Sequence, residues 1–512
     1  MNIAKASDIL KQLAGRGVNT LCLCPGARNA PFVQILSQSH GFEVLSFYDE
    51  RSAGFFALGR ARRDLKPVAV LTTSGTAVSE LLSPVIEAFY TDTPLIVISS
   101  DRPKRLRGTG APQAIGQSKI FAGYVEKSWD ISASENFELN FENNKPQHLN
   151  VCFDEPLIDQ ELSEVVNFEI KKASPRKVWD QEPILNQELQ SPLVIVGGLK
   201  KEDRKSVESA LQNFNAPIFV ESSSGLRESL VLKDRILNGG EKIVSKMLKS
   251  GDVKSVLRLG DVPLGRFWRD LDLLEIPTLS INNKKFSGTE KSEIVVNNLK
   301  ELSLTNLTPA SWDWHQWREL GEQASSKLQE SLEQNPQSEP AFFKKLVEQI
   351  PKNEPVYIGN SMPVRLWDLV SNKDHQIFGN RGANGIDGQI SSAFGLLKPQ
   401  TKNWIILGDL TTLYDFNGFW ITDYLRSLEI SINLVVINNG GGQIFSRIFS
   451  EELFRNQHTL NFEPMAKMWG WNYLEIKSPS EELPSDGLNL IEIKPDEDQS
   501  RNFWETYDKQ WE

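Results

Sequence analysis

The chain is poor in cysteine and in positive charge. Its 512 residues include only three cysteines, Cys22, Cys24 and Cys152, which cannot form a disulfide framework and do not show the Cys/His spacing of a structural metal site. This scarcity favours a reducing compartment. The net charge of −11 argues against a general binder of nucleic acid or of anionic membranes. An anionic ligand must therefore be met by a local basic cluster.

Long apolar runs and targeting signals are also missing. No stretch approaches the roughly 18 apolar residues of a membrane span. The opening MNIAKASDILKQLAGRGV has the pattern of a short amphipathic helix and lacks the apolar core and cleavage site of a signal peptide. Neither CPGARNAP nor VGGLKKED is a G-x-G-x-x-G fingerprint, which disfavours a dinucleotide-binding Rossmann protein. We expect a cytoplasmic protein without stable membrane anchoring.

Short apolar strands alternate with helical patterns along most of the chain. This βαβ rhythm is typical of mostly parallel sheets with helices on both faces, and the length suggests about three domains of roughly 150 residues. Polar, proline-bearing segments at 171–192 and 333–340 are interpreted as linkers. We predict an α/β protein with three doubly wound parallel-sheet domains, covering residues 1–175, 190–330 and 338–512.

Two apolar strands near the C-terminal end stop at polar residues. The apolar run of WIILGDL stops at Gly408 and Asp409, and that of INLVVINNGGG stops at Asn438 and Asn439. The helical pattern between them predicts a right-handed crossover that brings the two strand ends together. Carboxylate, amide and backbone carbonyl oxygens suit Mg²⁺, and the glycines allow backbone N–H groups to approach a diphosphate. The bare pattern is equally compatible with a glycine-rich turn without a ligand.

The GDL of the first strand, followed by the NN of the second strand about thirty residues later, resembles the cofactor signature of the thiamine-diphosphate-dependent enzymes. The resemblance implies Mg²⁺ (or Mn²⁺) held by Asp409, Asn439 and the carbonyl of Gly441, with Asn438 as an alternative to Asn439. It also implies that Glu50, in FYDERSAGFFALG, protonates the aminopyrimidine ring of thiamine diphosphate, which requires burial that raises its pKa. Without that context, Glu50 fits a solvated acid at a helix N-terminus. The further cofactor contacts implied by the family are Gly75, Thr76, Ile386, Gln443, Ile444 and Phe445.

The motifs match one branch of this family in particular. CPGARNAP, DERSAGFFALG, TTSGTAV, GNSMPVR, NRGANGIDG and NNGGGQIFS occur in its order. The GNS of GNSMPVR together with NRGANGIDG distinguishes this branch from acetolactate synthases and simple 2-oxoacid decarboxylases. The middle domain matches weakly, best at LRLGDVPLGR. The branch implies a transferase of menaquinone biosynthesis that decarboxylates 2-oxoglutarate and adds the succinyl unit to isochorismate in a 1,4 sense. Another thiamine-diphosphate-dependent decarboxylase or carboligase is the alternative.

Both implied substrates are dianions, which arginine binds bidentately through its planar guanidinium group. Arginines accompany several glycine-rich strand ends of this acidic chain. The implied substrate-binding residues are Arg28, Arg102, Gln113, Arg266, Asn360 and Ser361, and the implied catalytic residues are Glu50, Arg365 and Arg381. Ala27 and Pro112 replace the serine and asparagine usual in the family, so two polar contacts near the substrates are lost.

The family builds each site from two chains. The resemblance therefore implies a homodimer or homotetramer in which Glu50 meets the Asp409 metal site of a partner subunit. A non-catalytic protein that merely kept the fold would have lost a catalytic residue, whereas Glu50, Asp409 and Asn439 are all present.

Overall fold

The structure is a computed structural model, and it describes residues 1–140, 145–162, 164–173, 184–284, 286–296 and 299–511. Residues 174–183 of the linker expected at 171–192 lie outside the described residues. The chain divides into two compact units. The first contains Met1–Lys177, Gly379–Pro399 and Thr411–Glu429, and the second contains Val178–Phe378, Gln400–Leu410 and Ile430–Glu512.

Strands and helices alternate along much of the chain, as the sequence predicts, although no α-helix lies between β5 and β10 in the described residues. The strands are β1 (Thr20–Leu23), β2 (Ser39–His40), β3 (Glu43–Ser46), β4 (Val68–Thr72), β5 (Leu95–Asp101), β6 (Lys127–Ser132), β7 (Gln147–Cys152), β8 (Val166–Asn167), β9 (Gln187–Leu189), β10 (Pro192–Val196), β11 (Ile218–Val220), β12 (Ser255–Leu259), β13 (Thr278–Asn282), β14 (Ser292–Val295), β15 (Leu307–Pro309), β16 (Pro355–Ile358), β17 (Gln376–Phe378), β18 (Lys402–Gly408), β19 (Ser431–Ile437), β20 (Asn472–Ile476) and β21 (Leu488–Ile493). The α-helices are α1 (Asn2–Gly15), α2 (Ala30–Leu36), α3 (Glu50–Asp64), α4 (Thr76–Ser79), α5 (Leu82–Tyr90), α6 (Arg204–Leu211), α7 (Gly240–Ser250), α8 (Phe267–Leu273), α9 (His315–Gln334), α10 (Glu339–Gln349), α11 (Met362–Val370), α12 (Gln389–Leu396), α13 (Asp409–Tyr414), α14 (Thr422–Ser427), α15 (Glu463–Trp469) and α16 (Glu497–Lys509). No helix of the described residues is both long and apolar enough to cross a bilayer.

The large sheets are parallel throughout the part of the chain that the structure describes. The first has the order β3-β1-β4-β5-β7-β6 and the last the order β17-β16-β18-β19-β21-β20, so the two share one topology. The sheet formed by the strands that lie between these two sets in the sequence has the order β11-β10-β12-β13-β14. Two short parallel pairs, β2 with β8 and β9 with β15, complete the set. These interleaved helices and parallel sheets confirm the predicted α/β class.

The central strands are apolar because helices cover both faces of each sheet. Every residue of β4 and β5 is buried, for example. Parallel strands direct their carboxyl ends to one edge, and ligands bind at that edge where the strand order reverses. In the first and last sheets this reversal lies between β1 and β4 and between β16 and β18. The three large sheets fall within the three predicted ranges, while the exact domain boundaries stay a prediction.

Candidate active site

The carboxyl ends of β18 and β19, in the second unit, carry the predicted metal-binding residues. The register pairs Gly408 with Ile437, so Asp409 emerges beside the asparagines that follow β19. The buried Asp409 carboxylate accepts the N–H of Leu410 at 2.6 Å and the N–H of Gly441 at 2.8 Å. Burial raises the pKa of Asp409, and a bound cation would favour its ionised form.

The two neighbouring asparagines have different surroundings. The Asn438 Nδ2 donates to the carbonyl of Leu460 at 2.8 Å and to the buried Glu492 carboxylate at 2.6 Å. The Asn439 Nδ2 donates to Glu339 Oε2 at 3.1 Å, whereas its Oδ1 is buried and has no hydrogen-bond partner among the described residues. A buried polar oxygen without a partner is costly. The oxygens of Asp409 and Asn439 therefore fit a hard cation such as Mg²⁺.

The glycines after β19 adopt conformations that other residues rarely adopt. Gly440 and Gly441 have φ angles of +77° and +137°, and a Cβ at Gly441 would lie 2.5 Å from the carbonyl oxygen of Arg455. The chain then forms a 3₁₀ turn over Gln443–Phe445, in which Gln443 Nε2 donates to the carbonyl of Asn439 at 3.2 Å. Glycines follow the strand and its two asparagines because the backbone turns here with positive φ angles and packs against the loop that carries Arg455.

Predicted substrate-binding residues follow β16 in the same unit. Asn360 is buried, and Ser361 has a φ of +71°, a strained conformation for a residue with a side chain, of a kind that clusters at functional sites. Arg365, one turn into α11, donates from Nη1 to the carbonyl of Ser361 at 2.7 Å.

Arg266 is exposed immediately before α8, and its backbone N–H donates to the Glu241 carboxylate at 2.7 Å.

In the first unit, Glu50 begins α3. The Asp49 side chain caps this helix by accepting the N–H of Ser52 at 3.2 Å. Thr72, the last residue of β4, donates from Oγ1 to Glu50 Oε1 at 3.3 Å. Burial raises the pKa of Glu50, although its hydrogen bonds oppose the shift. The carboxyl group thus holds its proton more tightly than an exposed glutamate does, which is the direction that the family resemblance requires.

The turn after β4 is shaped by residues of unusual backbone conformation. Gly75 has a φ of +86° and precedes α4, which begins at Thr76. Its N–H donates to Oε1 of the buried Gln117 at 3.1 Å, and Gln117 Nε2 donates to Asn150 Oδ1 at 2.9 Å. Gln113 has a φ of +58°, and a Cβ at Gly75 would lie 3.2 Å from the Gln113 Cβ. The loop holding Gln113 therefore packs directly on the Gly75 turn.

Arg28 and Arg102 form a small basic cluster at the same sheet edge. Arg102 Nη1 donates to Ser74 Oγ at 2.8 Å, and its pKa is lowered by burial and by the charge of Arg28. Arg28 Nη1 lies 3.2 Å from a carboxylate oxygen of the exposed Glu155. Two neighbouring guanidinium groups that repel each other favour an anionic ligand.

Arg381 and Ile386 belong to a turn that precedes α12, also in the first unit. The backbone N–H groups of Gly382 and Ala383 donate to the carboxylate of the buried Glu87, at 2.8 and 2.6 Å. This clamp fixes the backbone next to Arg381. Ile386 is partly buried within the same turn.

Known proteins resemble the chain over its whole length. A family model described as the thiamine pyrophosphate enzyme N-terminal TPP binding domain matches residues 4–120. The 2-succinyl-5-enolpyruvyl-6-hydroxy-3-cyclohexene-1-carboxylate synthase of Bdellovibrio bacteriovorus is 39% identical over 100% of this chain and 99% of its own. The proteins of the same name from Akkermansia muciniphila and Oceanobacillus iheyensis are 32% and 28% identical, covering 97% and 96% of this chain and 97% and 95% of theirs.

The chain belongs to the 2-succinyl-5-enolpyruvyl-6-hydroxy-3-cyclohexene-1-carboxylate synthase family. The resemblance to thiamine-diphosphate-dependent enzymes is thereby confirmed. The individual residue roles in this synthase-family chain stay predictions.

The predicted site residues of this synthase-family chain are divided between the two units, and we term the set in each unit a predicted half-site. Hydrogen bonds join Gly441 to Asp409 and Gln443 to Asn439, and Gly75 packs against Gln113. The half-site in the first unit contains Arg28, Glu50, Gly75, Thr76, Arg102, Gln113, Arg381 and Ile386. The half-site in the second unit contains Arg266, Asn360, Ser361, Arg365, Asp409, Asn439, Gly441, Gln443, Ile444 and Phe445.

Three residues beside these half-sites were missed by sequence reasoning. Gln117 holds Gly75, as described above. Glu339 begins α10 inside the segment interpreted as a polar linker, yet it is buried, and burial raises its pKa to about 7. His458 Nε2 lies 3.2 Å from Asp409 Oδ2. The chain has only five histidines, so a histidine in the segment after NNGGG could have been predicted as a site residue. No local sequence pattern indicates that Glu339 is buried.

Proposed function

We propose that this chain decarboxylates 2-oxoglutarate and adds the remaining succinyl unit to isochorismate in a 1,4 sense. The product is 2-succinyl-5-enolpyruvyl-6-hydroxy-3-cyclohexene-1-carboxylate, an intermediate of menaquinone biosynthesis. The observation that carries the proposal is that the glycine turn bonds the buried Asp409 carboxylate and follows an Asn439 oxygen that has no hydrogen-bond partner among the described residues. The 39% identity to a synthase of that name supports the choice of substrates.

The second unit would hold the cation and the diphosphate. Asp409, Asn439 and the carbonyl of Gly441 would bind Mg²⁺ or Mn²⁺, and Gln443, Ile444 and Phe445 would contact the cofactor beside them. When bound, thiamine diphosphate supplies the carbanion that attacks the 2-oxo carbon and the electron sink that eases decarboxylation. The protein supplies a buried anionic pocket that favours a cation at one point of the sheet edge.

Glu50 would hold the proton that the aminopyrimidine ring requires. Burial keeps the carboxyl group protonated to a higher pH than usual, and general acids work best when their pKa lies near the working pH. The Asp49 cap and the Thr72 hydroxyl fix its position. Gly75, Thr76 and Ile386 would contact the cofactor in the same half-site.

Arginines would bind and orient the two dianions. Burial and the charge of Arg28 lower the pKa of Arg102, and substrate carboxylates placed between the two arginines would relieve their repulsion. Arg365 and Arg381 would act beside the reacting atoms, with Gln113, Asn360, Ser361 and Arg266 as further substrate contacts. Holding two reactants in attack geometry contributes roughly 7–11 kcal/mol in favourable cases.

We also propose a homodimer or homotetramer with sites shared between chains, in the cytoplasm. An exposed apolar patch next to the glycine turn supports a contact with another chain. The patch consists of Phe445, Ile448, Phe449, Leu453 and Phe454. The three cysteines are free and buried, which is consistent with a reducing compartment.

The test is to incubate the protein with thiamine diphosphate, Mg²⁺ and 2-oxoglutarate, with and without isochorismate, and to identify the products by mass. A product containing both skeletons, absent with Glu50→Gln, is the expected result. CO₂ or succinic semialdehyde without that adduct would point instead to a simple decarboxylase. Failure of the wild-type protein to bind thiamine diphosphate would overturn the proposal altogether.

A further inference from the structure

We propose that the Nε2–H group of His458 donates a hydrogen bond to the diphosphate of the bound cofactor. This contact rests on the proposed function, because it requires thiamine diphosphate at the Asp409 half-site. It would add a side-chain hydrogen-bond donor to the cofactor contacts already proposed for that half-site.

The loop that carries His458 is fastened to the glycine turn. The backbone N–H of His458 donates to the carbonyl of Gly440 at 3.1 Å. Two residues further on, the carbonyl of Leu460 accepts from Asn438 Nδ2 at 2.8 Å. On the other side, the N–H of Gly442 donates to the carbonyl of Arg455. These bonds hold the imidazole at the end of β19, where the diphosphate is expected.

One hydrogen bond selects the tautomer of the ring. The N–H of Leu460 donates to His458 Nδ1 at 3.2 Å, so Nδ1 presents its lone pair. A neutral imidazole whose Nδ1 accepts carries its hydrogen on Nε2. In this tautomer Nε2 is a donor and has no lone pair for a metal ion, so His458 faces the site as a donor of a hydrogen bond.

Among the described residues, this N–H group makes no hydrogen bond. His458 Nε2 is buried, and it lies 3.2 Å from Asp409 Oδ2. That oxygen already accepts the N–H of Gly441. A buried N–H group left without an acceptor is costly, which indicates that the site is completed by an acceptor that the chain does not provide.

A diphosphate oxygen is the acceptor whose charge fits. A cation bound to Asp409 would repel the positive end of the Nε2–H dipole unless an anion lay beside it. Mg²⁺ in such sites binds substrate phosphates as well as protein oxygens, so an anionic oxygen is brought next to the same carboxylate. Hydrogen bonds to ionised acceptors are shorter and stronger than neutral ones.

The test compares His458→Phe, which fills the space without a donor, with His458→Gln, which keeps a side-chain N–H. Calorimetry measures the Kd of Mg²⁺–thiamine diphosphate and of Mg²⁺–pyrophosphate, the latter probing the anionic part alone. We expect His458→Phe to weaken both by roughly 10- to 100-fold and His458→Gln to stay close to the wild type. His315→Phe, at an exposed position at the start of α9, serves as the matched control and should bind as the wild type.

Three results would separate the explanations. A wild-type protein that binds no thiamine diphosphate would overturn the proposed function, and this inference with it. Wild-type affinity in His458→Phe would overturn the inference alone. An equal loss of Mn²⁺ binding without any diphosphate, measured by electron paramagnetic resonance, would also overturn it, since His458 would then act through Asp409. If His458→Phe does not fold, His458→Ala gives the same comparison.

Discussion

At the scale of single residues, adjacent asparagines have separate tasks. Asn438 satisfies a buried carboxylate and a loop carbonyl, whereas Asn439 presents an oxygen that has no partner among the described residues. We predict that Asn439→Ala weakens Mn²⁺ binding in the presence of thiamine diphosphate by roughly tenfold or more. Asn438→Ala should instead destabilise the fold by about 1–3 kcal/mol, because Glu492 loses a buried hydrogen bond.

Electron paramagnetic resonance of Mn²⁺ and thermal unfolding measure the two effects separately. The two variants are matched, since each removes one amide at neighbouring positions. If Asn438→Ala lost the metal and Asn439→Ala did not, the amide ligand would be the alternative residue.

A second residue-scale prediction concerns pH. Asp415 is fully buried and accepts the N–H and the Oγ–H of Ser391, at 2.7 and 3.1 Å. Burial raises the pKa of Asp415 to about 7 from its ordinary 3.8. The folded protein therefore keeps a proton that the unfolded chain releases near pH 4. The stability that this proton contributes is full below about pH 4 and is lost as the pH rises through about 7.

Asp415→Asn cannot ionise and should remove this dependence. Unfolding free energies measured between about pH 4 and 8 should fall more steeply for the wild type, by a difference on the order of 1–3 kcal/mol. Parallel curves for the two proteins would show that Asp415 does not titrate in this range. Ser391→Ala, which keeps the carboxyl group, should retain the slope.

At the scale of elements, α3 and α12 approach each other through glycine. A Cβ at Gly59 would lie 2.1 Å from the carbonyl oxygen of Ser392, and one at Gly395 would lie 2.2 Å from that of Phe56. We predict that Gly59→Ala destabilises the protein by at least about 1–3 kcal/mol, since two backbones must separate. Gly15→Ala is the control, because Gly15 is helical and a Cβ there meets nothing within 4 Å.

Alanine at position 15 should stabilise α1 by about 0.5–1 kcal/mol through its higher helix propensity. Chemical denaturation measures both changes. A Gly59→Ala variant as stable as the wild type would mean that the two helices have room to separate.

Local patterns predicted the strands and their polar ends but not how distant elements pack. The apolar run of β18 stops at Asp409 and that of β19 at Asn438, and such runs carry their own signal. By contrast, α3 and α12 meet across 337 residues, as between Phe55 and Ser392, and the signal is a missing side chain. Glu339 lies in a polar segment whose composition is typical of a linker. The residue that bonds it, Asn439, is 100 residues away in the chain, so no local pattern indicates that Glu339 is buried.

At the scale of the whole molecule, an acidic chain places arginine side chains next to one another where anionic substrates are expected to bind. The net charge of −11 would repel dianionic substrates in general, yet Arg28 and Arg102 are close enough for their charges to interact. Steering by the overall field is therefore unfavourable, and binding depends on short-range contacts. Glu50 and Asp409 belong to different units, and the proposed homo-oligomer would complete each site with one half-site from each of two chains.

That assembly can be tested by mixing two inactive variants. Glu50→Gln should inactivate the half-site in the first unit, and Asp409→Ala should inactivate the half-site in the second unit. If each site takes one half from each chain, a mixed dimer has one intact site and one site that is defective twice. Random pairing of equal amounts makes half of the dimers mixed, so activity should return to about a quarter of the wild-type value.

Co-expression with two affinity tags isolates the mixed dimer, in which about half of the wild-type activity is expected. Each variant purified alone is the control and should stay inactive. A mixed dimer with no activity would place both halves of the site on one chain.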